Sequence, residues 1–288
     1  MPVKKRSSGS TEGKSNIPRA EVALDAGEKR SSTREHWESF WRDRHEVEGV
    51  YSNGDRIVRN LRVVTPLMGK RVLEIGAGSG RDSFPFAEHG ARVVQLDYSV
   101  HSLSILKTVA MQRAIPVEII GGDTFRLPFR DGTFDVVFHQ GLLEHFRPPA
   151  AEMLLRENVR VLRPGGLLLV DVPQRFHLYT VAKRILITAG KWFAGWERSF
   201  SIGELTGLVK QLGLEPVHHY GEWMAPSFFY RSMREAMKKA GIRLPLYPSF
   251  GARAGQIRSS VRRFLLRTPL PLHTGISIGV VARKKDAT

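Results

Sequence analysis

One nine-residue stretch, VLEIGAGSG from Val72 to Gly80, constrains this chain more than any other. Val72, Leu73 and Ile75 are branched apolar residues of the kind that fill a short strand buried on both faces. Glycine then recurs at every second position, at Gly76, Gly78 and Gly80. A Cβ at such positions would block close approach to the backbone or forbid positive φ, so the loop reads as a tight turn that a ligand touches. The following RDSFPFAEHG reads as a helix, which puts the turn at the carboxyl end of a strand. That is the edge at which open α/β sheets bind ligands.

The spacing discriminates among ligands. A dinucleotide turn needs G-x-G-x-x-G or A, and its last position falls here on Arg81, too large for the close helix–strand contact made there. No lysine follows in the phosphate-loop pattern. The arrangement is instead E-x-G-x-G-x-G, with Glu74 two residues before the first glycine. A carboxylate at the strand end suits a ligand bearing positive charge at one end, such as an amino acid ammonium.

This pattern resembles motif I of the class I S-adenosylmethionine-dependent methyltransferases, and the resemblance runs over residues 70–173. VVQLDYS places Asp97 at the end of the next strand, 23 residues after Glu74. The family uses a carboxylate there for the ribose hydroxyls. GDTFRLPF supplies Asp123 at the family's adenine position, FDVVFHQGLLEHF matches the fourth strand and its exit, and VLRPGGLLLVDVP matches the turn into the fifth. The nearest subgroup is that of the ubiquinone- and menaquinone-biosynthesis methyltransferases. The resemblance implies a Rossmann-like, doubly wound, seven-stranded methyltransferase sheet with S-adenosylmethionine as cofactor. It assigns cofactor contacts to Glu74, Gly76, Ala77, Gly78, Gly80, Asp97, Tyr98, Asp123, Thr124 and Gln140. Asp97→Ala is accordingly expected to lose cofactor affinity with little change in unliganded stability.

Composition narrows the field further. The 288 residues include no cysteine, which excludes disulfides, thiolate metal sites and cysteine nucleophiles. The amino terminus MPVKKRSSGSTEGKS lacks the apolar segment of a secretory signal, and no stretch reaches the 18 or so apolar residues of a membrane span. The expectation is a cytoplasmic protein, with membrane association where its basic surface allows. The net charge of +16 is unevenly distributed: +3 over residues 1–35, +1 over 36–175 and +12 over 176–288. A basic C-terminal third favours an anionic partner, whether a phosphorylated substrate, an anionic lipid surface or nucleic acid. No appended RNA-binding motif accompanies it, so nucleic acid ranks behind the first two.

Along the chain, residues 1–33 read as a disordered basic tail and 34–68 as an N-terminal helical segment. Trp37, Phe40 and Trp41 fall on one face of its first helix, with Thr33 as a cap. In the resembled family such a helix forms part of a lid over the cofactor; the alternative is that the aromatics only cover the core. The methyltransferase domain follows at 69–288 as a regular strand–helix alternation, a doubly wound parallel sheet. Helical insertions are expected near 175–200 and 225–273. Ser201 and Glu204 have the spacing of a capping box. The insertions carry Phe176, Leu178, Trp192, Phe193, Phe228, Phe229 and Tyr230, suited to an apolar or aromatic acceptor.

Methyl transfer from a sulfonium is an in-line displacement that needs orientation and exclusion of water more than it needs a catalytic group. Where the acceptor must lose a proton, the base candidates are His139, Glu144 and His145, clustered after the fourth strand; His145 and His139 are the catalytic assignments. Tyr179, Trp192, Trp196 and Glu197 are candidates for the acceptor wall or for packing of the insertion. Asp171 alone does not make a metal site. Gly141 and Leu142 replace the motif that grips a planar amino group, which disfavours adenine-N6 and glutamine-amide methylation. The leading reading is a methyltransferase acting on a small-molecule or lipid-linked acceptor. An RNA-modifying enzyme and a non-catalytic cofactor-binding protein are the alternatives.

Overall fold

The computed structural model describes residues 33–42, 55–192, 194–248 and 251–286. The basic tail through residue 32 and the acceptor candidate Phe193 lie outside the described residues, as does the side chain of Phe228. In chain order the elements are α1 (Arg34–Arg42), α2 (Arg56–Arg62), β1 (Arg71–Ile75), α3 (Phe84–Glu88), β2 (Arg92–Asp97), α4 (Val100–Arg113), β3 (Val117–Gly121), β4 (Phe134–Gln140), α5 (Pro148–Val161), β5 (Leu162–Pro173), α6 (Leu178–Thr188), α7 (Ile202–Gln211), β6 (Leu214–Glu222), α8 (Phe228–Lys239), α9 (Ala252–Leu265), α10 (Leu270–Thr274) and β7 (Ser277–Lys284).

The strands form one seven-stranded sheet in the order β3-β2-β1-β4-β5-β7-β6. Successive strand residues go alternately to two cores, because side chains of a strand point to opposite faces. Leu73, Val94, Val137 and Leu168 meet α5 and α7 through Leu154, Leu155, Leu205 and Val209. Their neighbours Val72, Val93, Val136, Phe138 and Leu169 meet α2 and α3 through Ile57, Leu61 and Phe86. Burial on both faces is why these strands read as continuous apolar runs. Chain order reverses between β1 and β4, which opens the crevice at their carboxyl ends.

The sheet departs from the parallel series in one strand. β7 is antiparallel to both β5 and β6. An antiparallel partner needs no crossover helix. The β6–β7 link is therefore free to carry α8, α9 and α10, of which α10 packs against β6 at Gly221 and α9 is tied to the end of β6 by Arg262 and Glu222. The short α10 had no counterpart in the sequence reading. Ser201 caps α7 by accepting from the Glu204 amide at 3.2 Å. The reciprocal half of the capping box does not form, because the Glu204 carboxylate is taken by Arg175 and Arg198.

Two buried carboxylates tie α2 to the far half of the sheet. Asp171 receives the Arg56 guanidinium at 3.1 Å and the Tyr220 hydroxyl at 2.8 Å. Glu222 binds Arg59 from α2 and Arg262 from α9. Burial pushes the Asp171 carboxyl up to about 6, against the opposing pull of Arg56 and Tyr220. Asp171 and Tyr220 lie on β5 and β6, either side of Gly279 on β7. The Tyr220 ring crosses over Gly279, and a Cβ there would run into that ring. Gly279→Ala should therefore cost about 1–3 kcal/mol of unfolding free energy in urea, as an overpacked core does. In a Tyr220→Ala background the same substitution should cost far less, and equal costs in both backgrounds would refute the crossing as its cause.

Candidate functional site

At the crevice the chain turns through Gly76, Gly78 and Gly80 at φ 68°, 55° and 69°. The amides of Gly76 and Ala77 donate to the Leu96 carbonyl at 2.8 and 3.0 Å. Asp97, at the end of β2, accepts from the Gly78 amide at 2.8 Å and the Ser99 amide at 2.9 Å. Ser102 closes the arrangement by donating to the Gly78 carbonyl at 2.7 Å. Asp97 is thus a buried strut of the loop as well as a candidate ribose acceptor, so its geometry argues for a cost to the unliganded protein when it is lost, where the sequence alone suggested little. Burial raises its carboxyl above the ordinary value, against the pull of the Ser99 and Gly78 amides.

Glu74 is buried, and its Oε2 has no hydrogen-bond partner. Burial, and after it the charge of Asp82, pushes this carboxyl well above its ordinary range. A sealed carboxylate oxygen with an unmet bond fits a cationic group delivered by a ligand. Thr124 Oγ1 is also buried and unmet, whereas neighbouring Asp123 is exposed and accepts from the Phe125 amide at 2.9 Å. Tyr98 lies under Arg34, whose guanidinium carbon is 5.6 Å from the ring centroid. Glu74, the glycines, Ala77, Asp97 and Tyr98 share this crevice, with Gln140 at the adjoining end of β4.

Helix α1 is laid across it. Thr33 caps the helix by accepting from the His36 amide at 3.3 Å. Trp41 packs on Gly78, close enough that a Cβ there would come within 2.5 Å of the indole. Glu38 accepts from the Ser99 hydroxyl at 2.8 Å and the Val100 amide at 2.9 Å, at the start of α4. Trp37 meets the His145 ring edge-on at 4.8 Å. The aromatic face was legible in the sequence; Glu38 was not, because nothing local marks a carboxylate that caps a helix 61 residues away.

The β4 exit gathers a second set of charges. His139 turns inward onto the same face as Val137, with no accessible surface and neither ring nitrogen hydrogen-bonded. Burial drives its ring down to about 3. Contrary to its assignment as a base, it presents no nitrogen to an acceptor. Glu144 is buried, its Oε2 is unmet, and burial with the nearby Glu197 charge pushes it up to about 8. Glu197 pairs with buried Lys183 of α6 at 2.6 Å and accepts from the Trp192 indole at 2.8 Å. Tyr179 stands 6.0 Å from Trp192, centroid to centroid. His145 is half-buried, and burial lowers its ring to about 4 although Glu197 opposes this. Among the described residues no group of three or more acidic or histidine side chains is arranged to hold a metal ion.

A family model described as "Methyltransferase domain" matches residues 73–170. The chain is similar to the ubiquinone biosynthesis O-methyltransferase of Dinoroseobacter shibae, 30% identical over 168 residues that cover 57% of this chain and 67% of that protein. It is 39% identical over 102 residues to the demethylmenaquinone methyltransferase of Renibacterium salmoninarum, covering 35% and 40% of the two chains. Among solved structures it is similar in fold to the magnesium protoporphyrin IX methyltransferase of Synechocystis with bound S-adenosylhomocysteine, at a TM-score of 0.54 and 14% identity over 87% of this chain and 93% of that one.

Two outcomes follow from the geometry. Asp97→Ala should weaken cofactor binding by roughly 2–4 kcal/mol, since a bond to a charged group contributes ~1.5–3 kcal/mol. It should also lower the unliganded Tm, because two amides lose their acceptor; calorimetry and thermal unfolding read the two effects separately. Glu144 has a folded pKa of about 8, raised above the ordinary carboxylate value of 4.5. The folded protein then holds a proton that the unfolded chain releases. Its contribution is present in full below pH 4.5 and is lost as pH rises towards 8, at a slope approaching ~1.4 kcal/mol per pH unit. Urea unfolding between pH 5 and 8 should show a shallower decline for Glu144→Gln than for the wild type.

Proposed function

Because the chain belongs to the class I S-adenosylmethionine-dependent methyltransferases, we propose that it methylates a hydroxyl of a small quinone-type aromatic acceptor bound between the β4 exit and α6. The observation that carries this reading is the buried Glu144 carboxyl at the β4 exit, within the field of Glu197 and its partner Lys183. The cofactor, when bound, supplies an electrophilic methyl group on a sulfonium centre. Glu74 would hold its ammonium end and Thr124 its base, each through an oxygen left unmet by the protein, and Asp97 its ribose hydroxyls.

The acceptor's side of the chemistry falls to the chain itself. A phenolic hydroxyl resembles tyrosine in acidity and must lose its proton as the new bond forms. Glu144, at about 8, lies nearer to working pH than His145 at about 4 and is the better matched proton acceptor. His145 is neutral at pH 7 and orients the acceptor from beneath Trp37. Tyr179 and Trp192 offer flat apolar faces to an aromatic ring. Helices α1 and α6 keep water from the crevice, which strengthens every polar contact inside it. The similarity to an O-methyltransferase of quinone biosynthesis supports this choice of acceptor.

Docking to an anionic bilayer is the second part of the proposal and would give access to a lipid-linked acceptor. No helix among the described residues is long and apolar enough to cross a membrane. Instead α6 exposes Val181 and Ile185, and α9 exposes Ile257, Val261 and Phe264 at one-face spacing. With a charge of +12 over residues 176–288, these faces have the character of interfacial helices.

Methyl transfer to a soluble dihydroxybenzene, followed by mass spectrometry, tests the reading. Glu144→Gln should lower kcat by about 10²-fold or more while the Kd for S-adenosylhomocysteine stays put. Full kcat in both Glu144→Gln and His145→Ala would end the proton-acceptor role. Ile257→Ser/Phe264→Ser should release the protein from phosphatidylglycerol vesicles without affecting turnover of the soluble acceptor.

A further inference from the structure

Two buried charges beside the β4 exit belong to no step of the chemistry. Lys183, on α6, and Glu197, in the loop that follows it, are sealed from solvent and meet Nζ to Oε2 at 2.6 Å. Fastening α6 does not call for charge, because an apolar pair of similar volume would hold the helix at least as well.

The loop is clasped to the exit through its backbone. The Arg198 amide donates to the Glu144 carbonyl at 2.9 Å, and the His145 ring is hydrogen-bonded to the Trp196 backbone. Glu197 stands between these two contacts, and its Oε1 accepts from the Trp192 indole at 2.8 Å. With both oxygens engaged, its carboxylate is fixed in place. Two buried carboxyls and one buried ammonium therefore share one site, in which Glu144 Oε2 is unmet. The charges around them face other partners. Asp171 on β5 binds Arg56 and Tyr220, Arg198 binds Glu204, and Arg147 lies over the Trp196 ring at 4.6 Å. His36 of α1 acts on the His145 ring, which is neutral at pH 7, and the Tyr179 hydroxyl of α6 also feels Glu197.

In so dry a place the state of one carboxyl is decided by the charges beside it. With Glu144 neutral, one ammonium balances one carboxylate. With Glu144 ionised, the group carries a surplus negative charge, opposed by Glu197 and drawn by Lys183, of which Glu197 has the stronger hold.

Resting on the reading of Glu144 as the proton acceptor, we propose that Lys183 and Glu197 are positioning residues that fix the pH at which Glu144 gives up its proton. They thereby set the pH above which it can take one from a phenolic acceptor. Both act through Glu144.

The test follows Glu144 itself. Infrared titration of the full chain reads its protonated carboxyl band, identified by its loss in Glu144→Gln. Glu197→Gln should move the midpoint down by about one pH unit or more, and Lys183→Met should move it up by a similar amount, the scale on which a neighbouring charge moves a carboxyl. Lys183→Arg, which keeps the charge, should lie nearer to wild type than Lys183→Met. Each single neutralisation strands a buried charge. Lys183→Met/Glu197→Gln strands none, and it should titrate between the two singles and below wild type. Opposite shifts are the mark of a charge effect, since a loosened helix would move both singles the same way. Shifts in one direction, or an unchanged midpoint, would overturn the proposal; if neither single folds, a double variant that titrates with wild type does the same. A base works only when ionised, so kcat/KM for catechol should fall as pH drops through the infrared midpoint of each variant. A rate profile that stays put while the band moves would end Glu144 as proton acceptor and leave the pair's control of its proton intact.

Discussion

The Asp97 carboxylate is the pivot on which the site hangs. Its two oxygens hold the Gly78 amide on one side and the Ser99 amide on the other. Ser99 is in turn held by Glu38, which brings α1 down onto the loop so that Trp41 covers Gly78. Burial makes this carboxylate costly to charge, and the amides around it offset that cost. One side chain therefore couples the shape of the glycine turn, the start of α4 and the seating of α1. A ligand bound to the same carboxylate would be felt at all three places.

The other half of the molecule is organised by charge pairs that are sealed from water. Asp171 with Arg56 and Tyr220, and Lys183 with Glu197, are costly to desolvate and contribute little net stability against apolar substitutes. What they do provide is direction. Arg56 and Arg59 fasten α2 against β5 and β6, while Lys183 and Glu197 fasten α6 over the β4 exit. The result is a crevice with fixed walls built from elements far apart in sequence.

Local chemistry decided which of these features could be read from the chain. Glu74, the three glycines and Asp97 are legible because a tight turn at a strand end demands those residue types at that spacing. The order of strands and helices is legible because two buried faces leave unbroken apolar runs. Long-range pairings are not. Nothing around Asp171 announces Arg56, 115 positions earlier, and nothing around Gly279 announces a tyrosine ring from the next strand. His139 was misread because its neighbours look like an exit loop, whereas strand alternation carries through it and turns it inward. The direction of β7 is not written in its composition either, since a both-face-buried strand has the same composition in either direction.

That reversed strand has a consequence for how such a chain can vary. Glu222 and Ser277 are cross-strand partners, and the Ile276 amide donates to the Glu222 carbonyl at 2.8 Å. The 54 residues between them leave and re-enter the sheet through a single hydrogen-bonded gate. Closing a loop whose ends are already clasped depends only weakly on its length, about 0.6 kcal/mol for each doubling. The segment that carries α8 and the exposed face of α9 behaves as a cassette: it can lengthen, shorten or change its chemistry while the crevice beneath keeps its form.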